Sequence, residues 1–451
     1  MKTIFITIFE GVEVKNVLRT PILKNLLADE DVKIVLFTKS KAKVDHYAAE
    51  FNHPRIFFEV VEWKSNSRLD TLFSKLKFVL LRTETTNLKR KMVSEYEQRY
   101  FGYYVGLIVN FLLARSFVRK IVRYLDFALV KDSTYSAYFD MYSPKLVFLA
   151  HLFDEPEISL LREAKKRGIM SVGFVNSWDK VTSRCILRLL PDKAITFNSI
   201  VKDELIHFNE MKPENIFVSG LPQYDYFYTR TPILRENFFN KISISPEKNL
   251  IVYASMGRAF STSDWDMIDL LHTLTTSNKI AKSSALLVRF QPNDFIDQEE
   301  IKKRPYLKYD QPGIRFGSKR GVDWDMNFAD LEHLADTLHH AALVVCYASS
   351  ISIDAAVFDK PIINIDFEVQ HTASLLKSPT QYYKSLHYGK ALKTGGINLV
   401  KSEPELIDSI NKYLLDPRLH SRERARLVFE QTVYTDGNSG KRIAEYLLSL
   451  I

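Results

Sequence analysis

Runs of consecutive apolar residues alternate along this chain with segments in which apolar residues recur every three or four positions. Residues 4–9 form a run of the first kind, and residues 13–28 follow the second pattern. The first is typical of a strand buried on both faces, and the second of a helix with one apolar face. Their alternation predicts βαβ units, which build parallel sheets covered by helices. In the first half the predicted strands lie at residues 4–9, 32–38, 56–61, 146–151, 169–174, 194–197 and 216–218.

The second half repeats this plan. Residues 222–247 separate the halves, have the least regular pattern and contain three prolines. We therefore expect an α/β protein with two Rossmann-like domains, at 1–228 and 229–430, and a helix at 431–451 that packs back on the first domain. Two such domains facing across a cleft would bind ligands at the carboxyl ends of their strands. The later predicted strands lie at residues 249–253, 285–291, 313–315, 343–346 and 362–365.

The composition is that of a soluble globular protein, with 46% hydrophobic and 26% charged residues in a chain of 451. The two cysteines, Cys185 and Cys346, are far apart in sequence and lie in apolar contexts, which favours a reducing compartment. The chain contains neither a signal-peptide cleavage pattern nor a 20-residue apolar run. We expect a cytoplasmic protein that is peripheral at the inner face of the cell membrane.

The formal net charge of +8 is concentrated in residues 64–131, which hold 14 Lys and Arg against 5 Asp and Glu. This predicted helical insert also contains the apolar segment 103–114, which is too short to cross a bilayer. We expect it to lie on an anionic membrane surface, with Arg119 and Arg123 among the groups that face the lipid. The alternative is a helix packed into the domain with a solvated basic face. Nucleic acid is not expected, because no base-reading motif accompanies the charge.

A serine-rich turn follows the predicted strand at 343–346. Ser349, Ser350 and Ser352 fall where a helix would begin, so their hydroxyls and the free backbone amides predict a phosphate site. Asp354, one turn later, is placed to accept hydrogen bonds from a ribose diol. The alternative is an ordinary helix cap.

Other nucleotide and metal motifs are missing from the sequence. No Gly-x-Gly-x-x-Gly follows a strand and no Walker A sequence is present, which disfavours dinucleotide-dependent dehydrogenases and P-loop enzymes. No Cys and His set has zinc spacing. Asp323 and Asp325 form an Asp-x-Asp pair that we interpret as solvated loop acids. We therefore expect no cofactor and no obligatory metal.

The chain resembles the GT-B superfamily, in the branch that contains CDP-glycerol glycerophosphotransferases, capsule polysaccharide synthesis enzymes and, more distantly, UDP-N-acetylglucosamine 2-epimerases. The resemblance implies a nucleotide-sugar donor bound by the C-terminal domain. In the N-terminal third it is confined to the segment around Gly11 and Arg19. The segments that carry it elsewhere are residues 172–182, 218–225, 287–294, 348–356, 360–365, 395–400 and 436–445.

The resemblance also implies donor-binding residues. Arg289 and Pro292 match an Arg-x-His-Pro segment that faces the diphosphate in the relatives, but Gln291 replaces the histidine. An arginine there can still bind a phosphate through two N–H groups. The small turn Ser255-Met256-Gly257 after the preceding strand would let the backbone approach the same diphosphate.

For catalysis, the relatives' Trp-His-Gly turn is matched by Trp178-Asp179-Lys180, which makes Asp179 the candidate base. Asp154 and Glu155, after another strand, are rival candidates, although both also fit a helix cap and first turn. His387 is a candidate for contact with the leaving phosphate. On the acceptor side the candidates are Gly11, Arg19 and Trp178.

These features together favour a metal-independent glycosyltransferase that moves a sugar from a nucleotide-sugar to a surface polysaccharide or a lipid-linked glycan. The alternatives are a CDP-glycerol glycerophosphotransferase, a UDP-sugar 2-epimerase and a non-catalytic glycan-binding relative. The sequence leaves open the donor sugar and its base, the acceptor, the stereochemical outcome and the oligomeric state.

Overall fold

The computed structural model of the protein describes residues 1–65, 67–277, 279–317, 324–372 and 374–451. It has the α/β class expected from the sequence, with two separate parallel sheets. Two compact units contain them. The first comprises residues 1–87, 101–229 and 432–451, and the second residues 88–100 and 230–431. The chain thus leaves the first unit twice, for residues 88–100 and again after Thr229, and returns to it at Thr432.

The first unit contains a seven-stranded parallel sheet with the order β3-β2-β1-β4-β5-β6-β7. Its strands are β1 (Lys2–Thr7), β2 (Val32–Thr38), β3 (Ile56–Val60), β4 (Leu146–Leu149), β5 (Met170–Phe174), β6 (Lys193–Thr196) and β7 (Ile216–Val218).

Helices connect these strands, and a long helical excursion separates β3 from β4. They are α1 (Gly11–Glu13), α2 (Pro21–Ala28), α3 (Lys41–Glu50), α4 (Arg68–Val79), α5 (Glu84–Tyr96), α6 (Tyr100–Leu113), α7 (Ser116–Leu129), α8 (Ser136–Tyr142), α9 (Glu155–Arg167), α10 (Lys180–Ser183), α11 (Ser199–Asn209) and α12 (Asp225–Thr229). A π-helical turn lies at Val14–Leu18, and 3-10 turns lie at Pro213–Asn215 and Pro222–Tyr224. Of α5, the part from residue 88 onward belongs to the second unit.

The second unit has a six-stranded parallel sheet with the order β10-β9-β8-β13-β14-β15. The predicted strand at 313–315 is not part of this sheet, because its residues form a short antiparallel pair, β11 with β12. The strands are β8 (Asn249–Ala254), β9 (Ser284–Arg289), β10 (Tyr309–Asp310), β11 (Ile314–Arg315), β12 (Trp324–Asp325), β13 (Ala341–Cys346), β14 (Ile362–Ile365) and β15 (Asn398–Val400).

The helices of the second half lie mostly between these strands, and the last two precede the return to the first unit. They are α13 (Arg235–Lys241), α14 (Asp264–Thr276), α15 (Gln298–Lys302), α16 (Phe328–His340), α17 (Ile351–Val357), α18 (Leu386–Leu392), α19 (Glu403–Leu415) and α20 (Ser421–Thr432), followed in the first unit by α21 (Ser439–Leu448). Two 3-10 turns lie at Leu375–Lys377 and Pro379–Lys384. In the described part of the chain, no helix combines the length and the hydrophobicity needed to span a lipid bilayer.

The continuous apolar runs reflect burial on both faces of the first sheet. In β1, Phe5 packs in one hydrophobic cluster, while its neighbours Ile4 and Ile6 pack in the other. Successive side chains of a strand point to opposite faces, so both faces of the sheet need apolar residues. Ile443 and Leu447 of α21 belong to the cluster on the Ile4 face, which places the C-terminal helix on this sheet.

Candidate functional site

The carboxyl ends of three neighbouring strands in the second unit are aligned by the sheet register. Ala254, the last residue of β8, pairs with Arg289 at the end of β9 and with Cys346 at the end of β13. The loops that follow these strands therefore leave the sheet side by side. We call this the donor edge: residues 255–258, 289–294 and 347–354. Sequence-based reasoning had selected candidates in each of the three segments.

The turn after β8 binds a carboxylate of its own unit. The amides of Met256 and Gly257 donate to the two oxygens of Asp264, at 3.0 and 2.8 Å. The prediction that the backbone of this turn binds a diphosphate is therefore wrong for these two amides, because a carboxylate already occupies them. The Ser255 hydroxyl is buried and has no hydrogen-bond partner among the described residues.

Gly257 fits closely against the loop after β9. Its φ is +85°, and a Cβ built on it would lie 2.5 Å from Asp294 Oδ2 and 3.1 Å from Gln291 Oε1. A side chain at this position would therefore be strained and would clash. Gly257 and Gln291, both predicted to bind the nucleotide-sugar donor, thus lie next to each other in the structure.

Arg289 is buried at the end of β9 with part of its guanidinium unbonded. Its Nη1 is 3.5 Å from Asp310 Oδ2, an oxygen that also lies 2.9 Å from His333 Nε2. Its Nη2 is buried without a hydrogen-bond partner among the described residues. Burial lowers the pKa of Arg289, while the carboxylates of Asp310, Asp330 and Asp354 oppose that shift. A buried N–H donor without an acceptor is unusual in a folded protein and suits an anionic ligand.

The serine-rich turn divides into exposed and buried hydroxyls. Ser350 is exposed at the N-cap of α17 and its side chain makes no capping bond, and Ser349 is half-buried beside it. Ser352 is completely buried; its Oγ lies 3.0 Å from Tyr388 Oη and 3.2 Å from Asn364 Nδ2. The prediction that Ser352 contacts phosphate is therefore wrong, because its hydroxyl faces the sheet within a buried polar network.

Two other predicted residues lie close to these serines. Asp354 is half-buried in α17 and acts electrostatically on Arg289. His387 is half-buried in α18, directly before Tyr388, whose hydroxyl also approaches the Ser349 carbonyl at 3.3 Å. Their proposed roles stay predictions. Of the Asp-x-Asp pair, Asp323 lies outside the described residues, whereas Asp325 is buried in β12 and so is not a solvated loop acid.

A second group of chemically active side chains lies at the carboxyl edge of the first unit's sheet. Glu13, His151 and Glu157 follow the paired strands β1 and β4, all three are buried, and one ligand atom of each lies within 4.8 Å of the others. Glu13 Oε2 accepts the Glu10 amide at 3.0 Å. Glu13 Oε1 and both Glu157 oxygens are buried without hydrogen-bond partners among the described residues.

Burial makes these carboxyls weak acids. It raises the pKa of Glu13 to about 8 and that of Glu157 well above its ordinary value. Repulsion from Glu10 acts in the same direction on Glu13, and repulsion from Glu13 does so on Glu157. Burial also lowers the pKa of His151 well below its usual value. Lys180 and Arg184 act in the same direction, because their positive charges disfavour a protonated imidazole. At neutral pH the group therefore consists of a neutral imidazole and carboxyls that hold protons, an arrangement suited to acid–base chemistry.

Among the residues that the structure describes, the same three side chains are placed to hold a metal ion. His151 Nδ1 accepts the Phe153 amide at 3.1 Å, so this nitrogen is already occupied. Lys39 and Lys180 are close enough to act electrostatically on the carboxyls and would repel a cation. These neighbours fit proton transfer better than metal coordination.

Sequence-based reasoning missed Glu13 and Glu157. It selected Asp154 and Glu155, which follow the same strand. Glu155 accepts Lys77 Nζ and Ser74 Oγ, both at 2.7 Å, and also pairs with Arg188. Burial alone would raise its pKa, but the attraction to Lys77 and Arg188 lowers it. The prediction of Glu155 as a base is therefore wrong, because both of its oxygens are held by cations.

The remaining catalytic candidates are bonded to local partners. Asp154 precedes α9 and pairs with Arg184, and its Oδ2 lies 3.6 Å from His151 Nδ1. Asp179 Oδ1 accepts Ser177 Oγ at 2.5 Å and its Oδ2 accepts Ser183 Oγ at 3.1 Å, which matches a turn residue. Their part in catalysis stays a prediction.

On the acceptor side, Arg19 is engaged elsewhere. Its Nε and Nη2 bind the two oxygens of Glu50 at 2.8 and 2.7 Å, and its side chain is buried. The prediction that Arg19 contacts an acceptor is therefore wrong. Gly11 is buried at the start of α1, and Trp178 is half-buried against the hydrophobic cluster that contains Phe5.

Comparison with known proteins gives a likeness of fold. No protein-family model and no curated protein sequence matches the chain. Among solved structures, the UDP-GlcNAc 2-epimerase from Neisseria meningitidis bound to UDP-GlcNAc has a TM-score of 0.55 and 12% identity, with 100% of both chains covered. The S. aureus MnaA–UDP structure has a TM-score of 0.52 and 13% identity, covering 100% of this chain and 98% of that chain.

A glycosyltransferase from Rickettsia africae is similar to about the same degree, with a TM-score of 0.50 and 11% identity over 99% of this chain and 98% of that chain. At such identities the comparisons establish the fold alone. The chain has the GT-B fold, which epimerases and glycosyltransferases share.

Proposed function

We propose that this protein is a nucleotide-sugar-dependent glycosyltransferase whose donor binds at the donor edge of the second unit. The observation that carries the proposal is the buried Arg289, whose Nη2 lacks a partner among the described residues at the carboxyl end of β9. Ligands of open α/β sheets bind beyond the carboxyl ends of the strands. Two proteins with this fold were solved with UDP-GlcNAc and UDP, which is the ligand chemistry that a guanidinium can bind.

In the proposed complex Arg289 binds the diphosphate of the donor. Ser350 and the buried Ser255 hydroxyl, which has no partner in the described part of the chain, donate further hydrogen bonds, and Asp354 accepts from the ribose. During transfer the bond between sugar and diphosphate breaks, and negative charge grows on the leaving phosphate. Arg289 stabilises that charge, an effect that is commonly worth about 3 kcal/mol for one donor.

The first unit supplies the acid–base groups and binds the acceptor in this proposal. A glycan hydroxyl becomes a nucleophile when a base removes its proton. The ionised form of the Glu13–Glu157 pair is the candidate base, and Asp179 and Asp154 remain alternatives. The acceptor class is a surface polysaccharide or a lipid-linked glycan, as the resemblance of the sequence implies.

UDP-sugar 2-epimerase is the second candidate function. Inversion at C2 requires a proton to be removed from one face of the sugar and returned to the other, and the buried Glu13–Glu157 pair can give and take protons. Several of the similar structures are also 2-epimerases. This candidate shares the donor edge and differs in its product.

One experiment separates the two. The protein is incubated with UDP-GlcNAc in D2O, with and without a lipid-linked glycan acceptor, and the products are followed by NMR. Transfer releases UDP and forms a glycosidic bond, whereas epimerisation leaves UDP attached and places deuterium at C2. Absence of both products, together with absence of binding by any nucleoside diphosphate, would reject the proposed function.

A further inference from the structure

The outer surface of α6 and α7 is an apolar face. Its exposed residues repeat at helical spacing: Phe101, Tyr104, Ile108 and Leu112 on α6, and Phe117, Ile121 and Tyr124 on α7. Tyr124 is 73% exposed and Phe117 64% exposed. Single exposed apolar residues are normal on a protein surface, but two consecutive helices that expose such a stripe point to a binding surface.

The buried side of α7 is charged and its exposed side is apolar. A surface helix of a soluble protein has the opposite arrangement. Arg119 Nε and Arg123 Nη1 bind the two oxygens of Glu210 at 2.7 and 2.6 Å. Asp126 binds Arg162 Nη2 at 2.6 Å and Arg188 Nε at 2.8 Å. The prediction that Arg119 and Arg123 face the lipid is therefore wrong, because both are buried in ion pairs.

These ion pairs fix the orientation of α7. Rotating the helix to hide its apolar side would take from Glu210 both of its arginine partners and from the buried Arg162 the carboxylate of Asp126, which is strongly unfavourable. Asn110 plays a similar part in α6, since its Nδ2 donates to the backbone carbonyls of Val79 and Leu81. The apolar face is thus held outward by polar contacts on the inner side.

Within residues 101–131 the exposed charges are basic. Arg82 and Arg115 lie 4.7 and 4.8 Å from the ring centroid of Phe111, and Lys120 and Lys131 are exposed. Asp126 is the sole acidic residue in the segment 101–131, and it is buried. An apolar stripe with a basic rim complements an anionic lipid surface. In a symmetric contact with a second copy, the basic rims would face one another.

We propose that the apolar face of α6 and α7 inserts into the interfacial layer of an anionic bilayer. Insertion buries the aromatic and aliphatic side chains at the boundary between headgroups and acyl chains, while the lysines and arginines reach the phosphates. The contact itself is reversible, because an apolar face and its basic rim supply only non-covalent attraction to the bilayer. This proposal is independent of the proposed catalytic function and goes beyond it.

The test uses a fluorescent label on the full chain. Both natural cysteines are buried, so Tyr124→Cys provides one accessible thiol for an environment-sensitive dye. Vesicles of phosphatidylcholine with one-third phosphatidylglycerol should raise and blue-shift the emission, and pure phosphatidylcholine should do so far less. Ala425→Cys, at an exposed position on α20, is the matched control and should show no change.

A set of substitutions then tests the face itself. Combined Phe117→Ser, Ile121→Ser and Tyr124→Ser should weaken sedimentation with anionic vesicles roughly tenfold or more. Phe429→Ser, which changes a residue 67% exposed on α20, should leave it unchanged. Lys120→Glu should weaken binding chiefly at low salt. The melting temperatures of all variants should match that of the parent, because each side chain is exposed.

Three results would overturn the proposal: equal binding to neutral and anionic vesicles, unchanged binding by the triple variant, or loss of a dimer rather than of vesicle binding in sedimentation equilibrium. The last would assign the face to a second copy of the chain. Nucleotide binding by the triple variant, measured in parallel, shows whether the donor edge is intact, so a failure of this proposal is distinct from a failure of the proposed function.

Discussion

Glu13 and Glu157 bring buried carboxyl oxygens within 4.8 Å of each other, although 143 positions separate them in the sequence. The parallel pairing of β1 with β4 produces this proximity, because it aligns the loops that follow both strands. Two carboxylates so close in a buried site repel each other, and they are stable when protonated. The strand order of the sheet is therefore the reason that these two carboxyls lie together and retain their protons.

The stability of the protein should depend on the protonation of Glu13. Its pKa is about 8 in the folded protein, whereas an ordinary glutamate, as in the unfolded chain, has a pKa of 4.5. Between these pH values the folded state therefore binds more protons than the unfolded state. The free energy of unfolding therefore falls as pH rises from about 5 to 8. Glu13→Gln, which stays neutral, should flatten this slope in thermal melts recorded across that range.

Glu247→Gln is the control for this measurement, because Glu247 is an exposed glutamate. Its melting profile should parallel that of the parent protein. If Glu13→Gln and the parent lose stability equally between pH 5 and 8, the protonated state assigned to Glu13 is wrong.

Arg289 should determine nucleotide affinity. Arg289→Lys keeps a positive charge but cannot form two parallel N–H bonds to a phosphate, so the affinity for UDP should fall about tenfold or more. Arg289→Ala should reduce turnover about 100-fold. Calorimetric titration and initial rates measure both effects. Arg426→Ala, on the exposed side of α20, should change neither; a loss of less than threefold in Arg289→Ala would exclude Arg289 from the site.

Ser350 and Ser352 should respond in opposite ways. Ser352→Ala removes a buried hydroxyl that contacts Tyr388 and Asn364, so it should lower the free energy of unfolding by about 1–3 kcal/mol and leave nucleotide affinity unchanged. Ser350→Ala removes an exposed hydroxyl at the donor edge and should lower affinity without changing the melting temperature. Equal effects of the two substitutions on binding would contradict the assignment.

Asp225 should stabilise the docking of the C-terminal helix. Its carboxylate accepts the amides of Ser439 at 2.9 Å and Gly440 at 2.6 Å, at the beginning of α21. Asp225→Ala leaves both amides without this acceptor and should cost about 1.5–3 kcal/mol of stability. Denaturant unfolding measures the loss, and protease digestion should release the segment after residue 431. Asp203→Ala, at an exposed position on α11, is the control and should be nearly neutral.

The sequence predicted the architecture well because burial of both sheet faces leaves a direct signal. Continuous apolar runs such as 4–9 and 343–346 overlap β1 and β13 with ends displaced by about two residues, and helical spacing located α14 and α16. The short strands β10 and β15 escaped prediction, since two or three residues carry too little pattern.

Site residues were harder to assign because a residue's position along the chain does not say which way its side chain points. Ser352 lies two residues from Ser350, yet one hydroxyl is buried and the other exposed. Glu157 was overlooked because an acidic residue in the first turn of a helix usually serves the helix itself. The burial of Glu157, and its proximity to Glu13, follow from tertiary packing. Arg19 likewise pairs with Glu50, and no sequence motif predicts this contact.

A nucleoside diphosphate should bind at the donor edge of the second unit. Hydrogen–deuterium exchange of the full chain, with saturating UDP, GDP, CDP, CMP or dTDP, measures this binding residue range by residue range. At least one nucleotide should slow exchange in peptides covering residues 255–258, 289–294 and 347–351, and Arg289→Ala should abolish this protection. Protection confined to other segments, or none with any of the five nucleotides, would contradict it.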